Sequence, residues 1–402
     1  MKAFFVDIIY LQLFKINQMK NLLKSLVSVF IIVLSSFLGL AQTQMKPRFY
    51  HLIIGTYTKT QNKGLFVYKF DSKTGKLSYE SNTEGIKNPS YLAISKDGSK
   101  VYSVNESGTD RKGGVSAFDF NQKTGELSLI NEQDNKGAGP CYISIAKDNH
   151  YIFTANYAGG NVSALPLNTD GSVGPLAQLI QHEGGSINLN RQKEPHSHSV
   201  IFSPSGDILY NADLGTDKLY AYQYHPKEAQ PLSDANPAFT KIEAGYGPRH
   251  FEFNKKANRV YLISELSAMI SVFDVQDKNL KLMQNISMNK PDFKGTNGAA
   301  DIHLSHDGKF LYATNRGTAN EIVIFKIDKN KGTLERIASI SSKGDTPRNF
   351  MIDPTDQFLL VANQNSNDIF VFKRDQKTGL LEDIHEKISI GNPVCLKMTP
   401  LK

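Results

Sequence analysis

The chain has 402 residues, 40% of them hydrophobic and 21% charged, which is the composition of a globular protein with room for one large core or two ordinary ones. Its formal net charge is +7, but Lys2, Lys15, Lys20 and Lys24 against Asp7 account for three of those charges, leaving +4. The remaining basic residues form no long Lys/Arg run, so a nucleic-acid partner is not expected.

The N-terminus comes first in chain order. From Met19 the sequence reads "MKNLLKSLVSVFIIVLSSFLGLAQTQ": two lysines, an uncharged apolar stretch from Ser25 to Leu40, then small and polar residues around Ala41. This is the layout of a secretory signal peptide. Residues 1–42 are read as that peptide, with Met19 an alternative start and cleavage expected near Ala41. The apolar run is short for a bilayer span. The mature protein is therefore expected in the periplasm or secreted, with no membrane attachment after cleavage. No cysteine follows the apolar run, so no lipid anchor is expected.

The rest, residues 48–402, reads as one domain made of repeats. Units begin near Pro89, Pro140, Pro195, Pro248, Ala299 and Pro347, about 50 residues apart, the period of propeller blades. Each opens on a Pro-led strand such as "PSYLAISKDGSK" or "GPRHFEF". A second strand follows ("KVYSVNES", "KFLYATNRG"), then a third ("GVSAFDF", "EIVIFKI", "DIFVFKR"). A turn close to D-x-x-T-G-x-L leads into a fourth in several units. Four antiparallel strands joined by tight turns make a blade. Six units are complete. A seventh is split: His51 to Ser81 supplies strands two to four, and "NPVCLKM" at the C-terminus supplies strand one. The expected fold is an all-β, seven-bladed propeller of four-stranded blades, its ring closed by pairing the N- and C-terminal strands. Cys141 and Cys395 fall on non-neighbouring blades, out of phase, and are read as free buried thiols.

In a propeller the first strand of each blade lines the central channel. Its start and the end of strand two share one face of the disc. Strand-one starts contribute His196, His198, Arg249, His250, Arg348 and Asn349. Strand-two ends contribute Glu106, Asn156, Tyr157, Asp213, Glu265, Asn315, Arg316 and Gln364. Asn105, Asn156, Asn315 and Asn363 share one repeat position, which points to a structural turn role. Glu265 and Arg316 stand where other units carry Tyr157, Asp213 and Gln364, and Arg249 where others carry Ser90 and Cys141. Blades three to five thus bring a His pair, two Arg and a Glu to one mouth. His196 and His198 are two apart on a strand, with Asp301 and His303 as the nearest further ligands. That is too few for a metal centre, and no metal or cofactor is expected. G-x-S-x-G, Walker, H-E-x-x-H and dinucleotide motifs are absent.

"RQKEPHSHSVIFSPSGDILYNADLGTDKLYAY", "GPRHFEF", "ISEL", "AADIHLSHDGKFLYATNR" and "TPRNFMIDPTDQFLLVANQ" resemble the seven-bladed lactonase family. That family includes propeller-type 6-phosphogluconolactonases and carboxy-cis,cis-muconate cyclases. The resemblance runs from about Tyr50 to the C-terminus. It implies that His198, Arg249, Glu265 and Arg316 are the catalytic groups, and that a lactone is the substrate. His196, His250, His303 and Arg348 are expected to bind substrate around them. Two departures stand out. Ser264 precedes the Glu where the family usually has Asn, and the signal peptide sits poorly with a phosphorylated, cytosolic substrate. The expected activity is hydrolysis of a sugar-acid lactone by a monomer. Two alternatives remain at this stage: an exported, non-catalytic propeller binding a sugar acid or a protein, and a muconate-type lactonising enzyme.

Overall fold

The structure, a computed structural model, describes residues 2–39, 46–58, 64–107, 113–276 and 279–402. It divides into two units, Met1–Lys46 and Pro47–Lys402. The first contains a single helix, Lys2–Gly39. The expected cleavage position near Ala41 lies outside the described residues. Among the described residues no helix is long and apolar enough to cross a membrane.

The second unit is a seven-bladed propeller of four-stranded antiparallel sheets. Blade one runs Leu92–Ile94, Lys100–Asn105, Gly114–Phe120 and Leu127–Asp134, and blades two to six follow in chain order with innermost strands Pro140–Ile145, Ser197–Phe202, Pro248–Phe253, Ala299–Leu304 and Pro347–Ile352. Blade seven is composite: C-terminal Pro393–Pro400 pairs antiparallel with Phe49–Thr56, which continues to Phe66–Asp71 and Leu77–Asn82. Joining the two ends of the chain in one sheet leaves neither as an open edge.

Local chemistry explains the repeats. In the D-x-x-T-G turns, Asp71, Asn121, Asp328 and Asp375 accept the amide two residues on at 3.0, 3.0, 2.9 and 2.7 Å. The glycines that follow, Gly75, Gly125, Gly332 and Gly379, hold φ of 78, 75, 74 and 77°, a region costly to residues with a Cβ. The core sits between blades rather than inside them. One cluster joins Tyr261, Ile263 and Val272 of blade four to Ile302, Leu311 and Phe325 of blade five, and equivalent clusters join the other neighbours. Middle strands are covered on both faces, so Phe358–Asn363 is buried throughout, whereas outer Leu381–Ser389 alternates.

One irregularity recurs where the channel begins. The pairing of strands one and two slips between Pro140 and Tyr142, Ser197 and Ser199, Pro248 and His250, Ala299 and Ile302, and Pro347 and Asn349. The residue left out of the ladder is Cys141, His198, Arg249 or Arg348, with Ala300 and Asp301 in blade five. A bulge re-aims the side chain it carries. The fold thus provides a ring of equivalent bulges, each with its own side chain.

Candidate active site

Two rings meet at one face of the disc. The bulge ring reads Cys141, His198, Arg249, Ala300 and Arg348, with Ser90 at the matching position of blade one. The second ring lies just past strand two: Tyr57, Glu106, Tyr157, Leu214, Glu265, Arg316 and Gln364. The sequence reading put Asp213 in this second ring. The ladder instead ends on it, where it matches Asn156 and Asn315. Its Oδ1 accepts the backbone amides of His196, Gly215 and Thr216 at 2.9, 2.9 and 3.1 Å, which is a turn-building role. Asn156, Asn315 and Asn363 are fully buried and bonded to neighbouring strands and turns, as their shared position suggested.

Glu265 is the hub. Its Oε2 lies 3.1 Å from Arg249 Nε, 2.8 Å from Arg316 Nη2 and 3.9 Å from His198 Nε2. Its Oε1 accepts from Arg191 Nη2 at 2.7 Å. The carboxylate is buried, which by itself would raise its pKa. The charges of Arg316 and then Arg249, with the Arg191 hydrogen bond, win and hold it well below the ordinary glutamate range. Arg249 is 2% exposed, the largest fully buried side chain among the described residues. Burial first, then the like charges of Arg316 and Arg348, bring it down to about 10. Burial likewise lowers Arg316.

His198 is buried, and burial together with Arg249 and His250 pushes its pKa well below the ordinary histidine value. It is therefore a neutral imidazole at neutral pH. Its Nδ1 lies 3.7 Å from Cys141 Sγ, a contact that looks like a thiol–imidazole pair. Burial drives the Cys141 thiol far above its usual range, and Sγ also reaches the backbone carbonyls of Ser197 and His198 at 3.7 and 3.4 Å. Cys141 is a packed thiol, not a nucleophile. Cys395 is also free and buried.

A chain of contacts runs from the hub down the channel. Arg249 Nη1 donates to the Ala300 carbonyl and meets His250 Nε2 at 3.3 Å. His250 Nδ1 meets Asp301 Oδ1 at 2.8 Å, and Asp301 Oδ2 meets His303 Nε2 at 3.2 Å. His303 Nδ1 ends the chain 3.3 Å from Glu252 Oε2. Because arginine only donates, His250 Nε2 must be the bare nitrogen and Nδ1 the protonated one. Burial, then the Arg249 charge, lowers His250 to about 3, in keeping with a neutral ring. Burial opposes charge on His303 too, but Asp301 outweighs it and raises its pKa to about 10.

The expected site residues therefore do not all meet. His198, Arg249, Glu265 and Arg316 meet directly. His250 touches Arg249, and Arg348 belongs to the far wall of the mouth, over the Tyr57 ring at 5.4 Å and close enough to Glu106 to stabilise its charge. His303 stands behind Asp301 and His250. His196 precedes its strand and does not act with His198 as a chelating pair: it stacks on Tyr157 with ring centres 4.5 Å apart, and its Nδ1 meets the Tyr157 carbonyl at 2.9 Å. Among the described residues no group of three or more His, Cys, Asp or Glu could hold a metal ion.

Arg191 and Asp301 are the partners the sequence reading missed as such. Arg191 lies in the longest unit: Pro140 and Pro195 are 55 residues apart, against 51 between Pro89 and Pro140. That extra length was the available signal.

A profile of the lactonase family described as a 7-bladed beta-propeller matches residues 51–398. The chain belongs to the seven-bladed lactonase family. Among its lactonase relatives, a 6-phosphogluconolactonase of Formosa agariphila is 36% identical over 86% of this chain and 99% of the relative. One of Bacillus subtilis is 32% identical over 86% and 97%. The solved structure of a periplasmic gluconolactonase from Pseudomonas aeruginosa superimposes with a TM-score of 0.85 at 35% identity, covering 88% of this chain and 100% of that one.

Proposed function

We propose that this protein hydrolyses a sugar-acid lactone at the Glu265 hub, as a monomer and without covalent intermediate. The observation that carries the reading is one ionised, buried carboxylate gripping three guanidiniums beside a neutral imidazole. Lactone opening needs both kinds of group. Water attacks the carbonyl carbon and gives its proton to a base, while the carbonyl oxygen becomes an oxyanion. His198 is the base: it is neutral, and the Glu265 carboxylate 3.9 Å from its Nε2 stabilises the imidazolium that forms. That proton then passes to the departing ring oxygen, so the ring opens to an alcohol and a carboxylic acid, and the acid ionises to a carboxylate by releasing the second water proton to solvent. Glu265 is too acidic to be the base. It holds Arg249 and Arg316 in place. Among the described residues Arg249 Nη2 and Arg316 Nη1 have no protein partner, which leaves one donor on each for the oxyanion. The muconate-type alternative asks for a carboxylic acid or a histidine that carries a proton near the arginines, and the lowered pKa values of Glu265 and His198 disfavour both.

The relative from Pseudomonas aeruginosa is named periplasmic, which supports an exported site of action together with the N-terminal pattern. The test is His198→Gln beside Glu265→Gln. With His198 as base, His198→Gln lowers kcat by about a hundredfold or more with KM little changed. The wild-type kcat/KM should be flat from pH 6 to 8 and fall only in acid, because the base is lowered. A sigmoidal rise centred near pH 7, or a His198→Gln variant of normal kcat, rejects the assignment.

A further inference from the structure

We propose that Arg191 is the selectivity residue of the mouth, holding a second anionic group on the substrate, a phosphate or a carboxylate remote from the lactone carbonyl. The inference rests on the lactonase reading and names the substrate class within it. Four guanidiniums gather around the mouth, on Arg191, Arg249, Arg316 and Arg348, against two carboxylates, Glu265 and Glu106. Buried positive charge such as that of Arg249 and Arg316 is costly unless an anion completes it, whereas Arg191 keeps part of its charge in solvent. The oxyanion, and then the product carboxylate, answers Arg249 and Arg316. The charge left over lies on Arg191, whose open fork is free to take a second negative group.

Arg191 differs from the others in how it is carried. It comes from the loop between blades two and three, not from the strand framework. Its side chain is 43% exposed, against 2% for Arg249 and 14% for Arg316. Only its Nη2 is engaged, with Glu265 Oε1 at 2.7 Å and Tyr157 Oη at 3.1 Å. Its Nε and Nη1 have no partner among the described residues.

The position is nevertheless built. The next residue, Gln192, is fully buried and donates to the Leu214 carbonyl and Asp217 Oδ2, each at 2.8 Å. The amides of Arg191 and Gln192 both return to the Asn188 carbonyl, at 3.0 and 2.6 Å. Tyr157 is braced by the stacked His196. A half-exposed arginine on a clamped loop, with a planar fork still open to solvent, suits bidentate capture of a phosphate or carboxylate.

The experiment compares wild type with Arg191→Gln and Arg191→Lys on three lactones: 6-phosphogluconolactone, a glucarolactone bearing a carboxylate, and neutral gluconolactone. The expected result for Arg191→Gln is a loss on every lactone from the broken Glu265 contact, with the kcat/KM loss about tenfold greater for whichever anionic lactone the wild type prefers than for gluconolactone. Rising salt should erode wild-type turnover of the anionic lactone and affect the variant less. Equal losses on all three lactones would make Arg191 a mere partner of Glu265 and overturn the proposal, as would unchanged selectivity. If the wild type opens no lactone, the lactonase reading fails by itself. The proposal is then decided by calorimetric binding of 6-phosphogluconate, glucarate and gluconate: a preference for a dianion that Arg191→Gln removes supports it, and equal affinities reject it.

Discussion

At the scale of single residues, the account turns on Arg249. It is wholly buried, it follows a proline that fixes the chain, and it sits on a bulge that takes it out of the ladder. Nε goes to Glu265 and Nη1 to Ala300 and His250, so the guanidinium plane is fixed before any substrate arrives. Arg249→Ala is expected to lower kcat/KM on the order of a hundredfold, and Arg249→Lys to recover little, since an ammonium cannot satisfy Glu265, a carbonyl and a substrate oxygen in one plane. Arg348→Ala, a bulge residue without direct contact to Glu265, should cost less. Steady-state kinetics on variants shown by circular dichroism to be folded checks the ranking, and Arg316→Lys serves where Arg249 variants fail to fold. An Arg348 effect larger than that of Arg249 reverses it. That Arg249 differs from Ser90 and Cys141 at the same repeat position was visible in the sequence. That Asp301 and His250 orient it was not, because a hydrogen-bond chain across blades four and five leaves no periodic trace.

At the scale of elements, the strand pattern was legible because each blade is nearly self-contained: Pro-led strand, two covered strands, D-x-x-T-G turn, alternating outer strand. The residues entering strand one show why the motif recurs. Asn88, Gly139, Gly247, Thr346 and Asn392 precede the prolines and hold φ of 45, 59, 67, 62 and 42°. Glycine and asparagine tolerate that region best, so the Asn-Pro and Gly-Pro pairs mark backbone geometry. Thr346 is the β-branched exception, held by Asn320 Oδ1 on its amide and Asn365 Nδ2 on its hydroxyl. The bulges themselves were not legible, since one extra residue leaves alternation on either side intact. Neither were the ties between blades. The strand-two tyrosines Tyr102, Tyr261 and Tyr312 donate to the carbonyls of Gly171, Gly332 and Gly379 in the next blade, at 3.1, 2.9 and 2.7 Å. Tyr261→Phe, which removes one such bond and keeps the ring, should cost about 1 kcal/mol in denaturant unfolding with an unchanged m-value. A neutral result would mean that this tyrosine bond adds nothing to the packing that joins blades four and five.

At the scale of the whole molecule, the channel carries opposed titrations. His303 is raised to about 10 from 6.5, so between those values the folded protein holds a proton that the unfolded chain has released, and stability falls as pH rises through that window. His250 is lowered to about 3 from 6.5, so the unfolded chain binds a proton the folded one refuses, and stability falls as pH drops through that lower window. Melting temperature should therefore peak near neutrality, and His303→Gln should flatten the decline between pH 7 and 9; an unchanged decline removes His303 from the account. The same axis joins these groups to the site, where blades three to five and the loop before blade three bring one carboxylate, several guanidiniums and one neutral imidazole together. Whether that assembly opens lactones is read most directly by pH-stat titration of the purified chain against phosphorylated and plain gluconolactones, with the buffer rate subtracted. The account predicts acid release proportional to protein concentration on at least one lactone, and its loss in Arg249→Ala. Rates no greater than buffer on all of them, from a folded protein that still binds the corresponding sugar acid, would contradict it and leave a binding propeller in its place.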